Sequence, residues 1–194
     1  ASLATSSRGI IANAMPYPEA SKIAFASIAR YVADPIGFDA EESWELAIDL
    51  VAGGDRDTVR DFADALRGSA LCTDDSPRLG GRLEKFAFDY AFGDSAAAVE
   101  DLARVAEQQL DVVARMRGIT NRALAREAAP WVDQYERAAR AVHLCAELLA
   151  AGPIGDEERS RVMTALTDLR SHRLRVHGDL VDMFLSDFAR EFER

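Results

Sequence analysis

The chain is poor in the residues that usually announce chemistry. It has two cysteines, Cys72 and Cys145, and three histidines in 194 residues. Two thiols so far apart, with no C-x-x-C spacing, define neither a metal knuckle nor a disulfide framework. Both lie among apolar neighbours, as buried thiols do. They leave the compartment open. Lysine is confined to Lys22 and Lys85, so nearly all positive charge is arginine, and the net charge is −10 with a pI near 4.8. That balance excludes broad electrostatic binding to nucleic acid or to an anionic membrane. No apolar run reaches the roughly 18 residues that a membrane span needs. The first residues carry neither a charged n-region nor an apolar h-region of a signal peptide. No Gly-x-Ser-x-Gly elbow, Gly-rich phosphate loop or HExxH pattern occurs.

Apolar residues make up 48% and charged residues 29%, the composition of one globular domain. Its most informative stretch is the opening one. Residues 1 to 8 are small and polar. Gly9 to Ala12 has the makings of one short strand, and no other segment offers a partner, so an orphan strand is expected. A turn with Asn13, Pro16 and Pro18 follows. From Glu19 the apolar and small residues Ala20, Ile23, Ala24, Ser27, Ile28 and Tyr31 follow one helical face. Phe25, Ala29 and Val32 make the other side apolar too, which predicts a helix inside a core with the rest of the chain around it.

The remainder reads as a series of helices. Pro35 and Gly37 break the first. Asp39 and Glu42 form a capping-box pattern ahead of Trp44, Ala47, Ile48 and Val51. Gly53-Gly54 ends that helix, and Asp55 or Asp57 caps a third with Val59, Phe62, Ala63 and Leu66 inward. Gly68 to Gly81 reads as a loop. Helices follow on Leu83, Phe86, Ala87 and Tyr90, and then from Ser95 to about Arg117 after the stop and cap of Gly93-Asp94. Thr120 or Asn121 caps a long helix to about Ala151. Pro130 inside it predicts a kink or restart. Asp156 to about Val176 is the next, and Leu180 to Phe188 the last. The fold class is all-α, a bundle of seven to eight helices preceded by one short strand.

Candidate chemistry is sparse. Asp74-Asp75 is a carboxylate pair that would divide acid and base roles only if burial separated the two pKa values, and its Thr-Asp-Asp-Ser-Pro setting is that of a solvated turn. Arg170 to His177 gathers arginines with His172 and His177. Five residues apart, the two imidazoles are badly placed for one helix face. The bland alternative is a solvated cationic helix end; the functional ones are a docking patch for an acidic partner or the recognition helix of a transcription regulator. His143 sits beside Val142 and Leu144 as a structural histidine does. Trp44 and Trp131 fall on apolar faces and suit a core better than a carbohydrate platform.

The segments Ile11-Ala-Asn-Ala-Met-Pro-Tyr-Pro-Glu-Ala-Ser-Lys-Ile-Ala24 and Ala33-Asp-Pro-x-x-Phe-Asp-x-Glu-x-Ser-Trp44 resemble family 84 glycoside hydrolases. These are β-N-acetylglucosaminidases acting on O-linked GlcNAc, together with bacterial hyaluronidase-type enzymes. Asp61-Phe-Ala-Asp64 and Ala129-Pro-Trp131 look like further pieces of the family's helical domain. The resemblance is specific over about residues 10 to 64 and weaker beyond. It implies that residues 1–17 are a remnant of the last strand and turn of an upstream (β/α)₈ barrel, and that residues 18–194 are a post-catalytic helical domain. The family's adjacent catalytic aspartates would precede this segment, so none of its catalytic roles passes to Asp74-Asp75. Asn13 alone matches a substrate-binding position: the family's Asn at the end of the last strand, whose amide binds sugar hydroxyls. Ala14 departs from the Pro that bacterial relatives often carry there. The implied partners are the barrel of the same polypeptide and, through it, a GlcNAc-containing glycan, with no cofactor, no metal and no nucleic acid. Localisation stays unknown, with secretion or the cell surface open to the parent enzyme, and this chain alone would be inactive. A stand-alone interaction or homodimerisation module is the alternative.

Overall fold

A computed structural model describes residues 6–13, 15–67 and 77–191. These form eight α-helices: α1 (Pro18–Ala33), α2 (Ala40–Ala52), α3 (Arg56–Asp64), α4 (Pro77–Phe92), α5 (Ser95–Gly118), α6 (Arg122–Ala151), α7 (Asp156–Ser171) and α8 (Leu180–Glu191). One 3₁₀ turn, Gly53–Asp55, joins α2 to α3. Among the described residues there is no strand, and the fold is all-α as the residue patterns imply. Residues 9 to 13 have no regular secondary structure and are exposed. The expected strand is therefore not formed here. A strand needs a neighbour for its ladder, and none of the described segments supplies one.

The chain divides into two compact units, one of Ala1–Arg60 with Gly118–Ala129 and one of Asp61–Arg117 with Pro130–Arg194. In the first, α1 packs on α2. Ser27 Oγ donates to the Ser43 carbonyl at 3.4 Å, and Arg30 Nε donates to Ser43 Oγ at 3.2 Å. Tyr31 meets Phe38 edge to face at 5.2 Å. Asp39 caps α2 through a 2.7 Å bond from the Glu42 N–H. Gly53 then closes α2 in the left-handed region, φ 55°, where a Cβ would be strained. The core of this unit is Ala47, Ile48, Ala52, Val59, Ile119 and Leu124.

The prediction for α1 fails here. Its only buried residue is Ser21. Ile11, just before it, is 95% exposed, and Ile36, just after it, 94%. Both apolar sides of α1 were read as core, but Ile23, Phe25, Ile28 and Tyr31 are only half-buried and Ala20, Ala24, Ala29 and Val32 are exposed.

In the second unit, buried residues of α4 to α8 form a single apolar interior that includes Leu83, Leu102, Val113, Val142, Leu166 and Leu185. Asp94 caps α5 by accepting from Ala97 N at 3.1 Å, as its position after Gly93 implies. Gln134 of α6 donates to the carbonyl of Leu169 on α7 at 3.2 Å. Phe86 of α4 meets Phe184 of α8 at 5.9 Å.

Three sequence boundaries move. Helix α4 begins at Pro77, so Gly80 and Gly81 are helical instead of ending a loop. Proline's fixed φ suits a helix start, and the propensity lost at two glycines does not prevent propagation. Helix α6 runs unbroken through Pro130. Pro130 and Arg126, whose carbonyl loses its donor, are both exposed, where water replaces the missing bond. Helix α7 stops at Ser171, five residues short of Val176. His177 and Gly178 both take positive φ, 59° and 56°, which no α-helix accommodates.

Candidate functional site

Asn13 sits in the exposed segment that enters α1. Tyr17 is the N-cap of α1, with φ −118° and ψ 86°, and its side chain makes no cap. Pro18, at the first helical position, has no N–H to satisfy. The cap comes from elsewhere. The Glu127 carboxylate on α6 accepts from Glu19 N at 3.1 Å through one oxygen and from Ala20 N at 3.0 Å through the other. Ser21 N then makes the first helical bond, 2.9 Å to the Tyr17 carbonyl.

The Glu19 side chain is held from the same direction. Asn121 Nδ2 donates to Glu19 Oε2 at 3.1 Å and lies 3.3 Å from the Val51 carbonyl, while its Oδ1 caps α6 by accepting from Leu124 N at 3.1 Å. Lys22 donates to the other Glu19 oxygen at 2.6 Å. The Lys22 bond, then that from Asn121, holds the Glu19 carboxyl below the usual carboxylate range. Asp55 accepts from Thr120 N at 2.6 Å, which also lowers its pKa. Asn121, and not Thr120, is thus the cap of α6. Glu19, Lys22, Phe25, Leu50, Val51 and Asn121 border a groove of about 490 Å³. Asn13 is not among the residues lining it.

The other candidates are not brought together. Asp74, Asp75 and Cys72 lie outside the described residues. His143 is half-buried, its Nδ1 3.4 Å from Glu147 one helical turn on. His172 Nε2 is 3.8 Å from Asp168. Two arginines of the cationic cluster share one carboxylate: Arg170 bonds Asp182 at 3.0 Å, and Arg175 lies 3.8 Å from it. Trp44 and Trp131 are both half-buried. Cys145 is buried, and burial pushes its thiol up to about 12.

His177 is the surprise of its cluster. It is 3% exposed, stacks 4.9 Å from Tyr135, and donates its backbone N–H to the Ala65 carbonyl. Its Nε2 is 3.3 Å from Gln109 Nε2. Burial pushes the imidazole down to about 3, which favours the neutral ring at ordinary pH. His177, Tyr135 and Gln109 form part of the wall of a cleft of about 560 Å³, with Asp61, Arg78 and Arg115 among its charged residues. Those charges pair across the wall, Arg78 with Asp61 at 3.2 Å and Arg115 with Asp61 at 3.3 Å. No local motif marks this cleft, because its residues come from α3, α4, α5, α6 and the segment after α7. Among the described residues no group of three His, Cys, Asp or Glu side chains could hold a metal ion. No helix among them is long and apolar enough to cross a membrane.

The fold is that of an all-α domain. Residues 1–64 match the model of the β-N-acetylglucosaminidase family. The structure is similar to that of a mutant O-GlcNAc hydrolase from Thermobaculum terrenum, with a TM-score of 0.87 and 23% identity over 97% of this chain and 42% of that one. It is similar also to CpGH84B, with a TM-score of 0.73 and 22% identity over 93% of this chain and 33% of that one. The chain thus spans less than half the length of either protein. No curated protein matches it. The resemblance to family 84 glycoside hydrolases read from Asn13, Pro16, Pro18, Asp39 and Trp44 stands in both comparisons.

Proposed function

We propose that this chain is the helical domain that follows the catalytic barrel of a bacterial β-N-acetylglucosaminidase or hyaluronidase-type glycoside hydrolase. In this reading Gly9 to Ala12 is the barrel's last strand, and Asn13 offers its amide to hydroxyls of the GlcNAc ring. The helices brace the barrel and line the cleft for the part of the substrate beyond the sugar. The reading is carried by one observation: the family match spans residues 1–64, the part of the chain whose apolar side chains are most exposed. Ile10, Ile11, Met15, Val32, Ile36 and Leu50 are all exposed, a cost in water that a covering barrel would remove.

Hydrolysis of a fluorogenic GlcNAc glycoside tests it. The 194-residue chain alone gives no turnover, whereas the polypeptide encoded with the upstream reading frame does. Asn13→Ala in that longer protein loses a buried hydroxyl contact of about 1–3 kcal/mol, a fall in kcat/KM of roughly five- to 150-fold. Turnover by the isolated chain, or an upstream frame without a barrel and its paired aspartates, overturns the proposal. The same exposed side chains would also serve a stand-alone interaction module. Light scattering separates the two: a dimer persisting at low micromolar concentration without any barrel favours the module.

A further inference from the structure

We infer that the cleft walled by Gln109, Tyr135 and His177 is a second binding site, built for an uncharged ligand rich in hydroxyl groups, such as a short neutral oligosaccharide. The inference needs neither Asn13 nor a barrel, because every residue lining the cleft belongs to the second compact unit. Its volume of about 560 Å³ falls in the range of roughly 300–1,000 Å³ that small-molecule sites occupy. The residue that points to a ligand is Gln109, itself part of the wall. It is 7% exposed, and its Oε1 is buried without a hydrogen-bond partner. Its Nε2 lies 3.3 Å from Nε2 of the His177 ring. Turning the amide over sets Oε1 against His177 and leaves the nitrogen unpaired instead. In either orientation one polar atom of Gln109 is unsatisfied, which costs stability unless something else supplies the bond.

The class of ligand follows from charge. Four arginines and four carboxylates line the cleft, so neither an anion nor a cation meets an excess of the opposite sign. The arginines are also engaged. Arg78 and Arg115 each donate to one oxygen of Asp61, at 3.2 and 3.3 Å, and Arg82 and Arg104 donate to Asp101 at 3.3 and 2.7 Å. A charged ligand has to displace one of these partners. A hydroxyl does not, since it donates to a carboxylate with lone pairs to spare and accepts from a guanidinium with N–H groups to spare. It also satisfies the Gln109 amide in either orientation. Tyr135, 4% exposed, adds a phenol that burial, and after it the Asp61 and Asp64 carboxylates, keep protonated. Leu79, Val105 and Val112 give the wall apolar ground for the C–H face of a sugar ring. The Tyr135 ring already packs on His177 at 4.9 Å and on Phe62 at 5.8 Å, so it offers no free stacking platform. Affinity then rests on hydrogen bonds and is modest, roughly millimolar.

Residue-resolved NMR of the 194-residue chain tests the site. Cellobiose, maltose and diacetylchitobiose are each titrated to tens of millimolar, with inorganic phosphate and putrescine as charged probes. At least one sugar should shift the Gln109 side-chain amide and its neighbours in the cleft, saturating with a Kd of roughly 1–10 mM. No saturating shift there with any of the three sugars overturns the site. Tighter binding of phosphate or putrescine at the same resonances overturns the uncharged class. Gln109→Leu keeps the volume and removes both amide atoms, and it should weaken sugar binding at least about fivefold; unchanged affinity in the folded variant overturns the inference. Asp61→Asn takes from Arg78 and Arg115 the carboxylate they share. Phosphate binding in that variant should rise at least about fivefold, and no rise overturns the charge balance on which the ligand class rests. None of these outcomes turns on whether a barrel lies upstream.

Discussion

Lowering the pH tests the buried state of His177. The ring is 3% exposed, and burial takes its pKa from the ordinary 6.5 to about 3. The unfolded chain therefore binds a proton that the folded one refuses throughout the window between those values. Stability from this group is present in full above pH 6.5 and lost as the pH falls toward 3. At pH 5 the unfolded imidazole is protonated roughly thirtyfold in excess, which converts to about 2 kcal/mol against folding. Urea unfolding at pH 7.5 and pH 5 measures the loss. The comparison protein is His177→Asn, since asparagine tolerates the left-handed φ of 59° but cannot titrate. That variant starts less stable, having lost the ring's packing on Tyr135. The informative quantity is the pH slope, and the parent should lose about 2 kcal/mol more than the variant between the two conditions. Parallel slopes, or an imidazole Cε1 proton of His177 that titrates near neutrality by NMR, would refute the buried neutral ring.

Three shorter predictions concern the fold. Asp39→Ala removes the bond to Glu42 N and should cost about 1 kcal/mol by urea midpoint; no loss would mean that α2 is held by packing alone. Leu102→Ala, at a side chain 1% exposed, should cost about 3 kcal/mol; less than about 1 kcal/mol would place Leu102 outside a close-packed interior. Cys145, with its thiol raised to about 12 by burial, should resist iodoacetamide at pH 8 and react fully in urea, as read by peptide mass mapping; labelling in the native protein would refute its burial.

Local chemistry explains why much of the helical order was readable. Asp39 and Asp94 cap the helices that follow them, as their spacing to the next apolar residues implies. Such caps use donors three residues away, within the reach of a sequence pattern. The ending of α7 was not readable: His172 turns extended with no glycine or proline to mark the point. His177 is turned inward against Tyr135 and Gln109, and the backbone takes two left-handed residues to do it. Sequence assigned His177 to a solvated cationic end because its neighbours are arginines. In the structure Arg170 and Arg175 are drawn to Asp182, and the imidazole is left on the apolar side. Gly80-Gly81 misled for a simpler reason: a glycine lowers helix propensity without forbidding a helix.

The failure at α1 is of another kind. Apolar residues on both sides of a helix say that both sides are covered, and sequence has no means of saying by what. The described chain covers α1 mainly from α2 and leaves Val32, Ile36 and Leu50 in water. The cap of α1 was unreadable for the same reason. Glu127 stands 108 residues from Glu19, on a helix whose own pattern marks it only as one more charge. Both facts bear on one place, the junction between residues 9 to 17 and the helices. At that junction the local sequence supplies no cap, no strand partner and no cover, while the distant chain supplies a carboxylate aimed at two backbone donors. A frayed end would gain little from such a clamp, since the ordering it imposes costs conformational entropy at every residue it fixes.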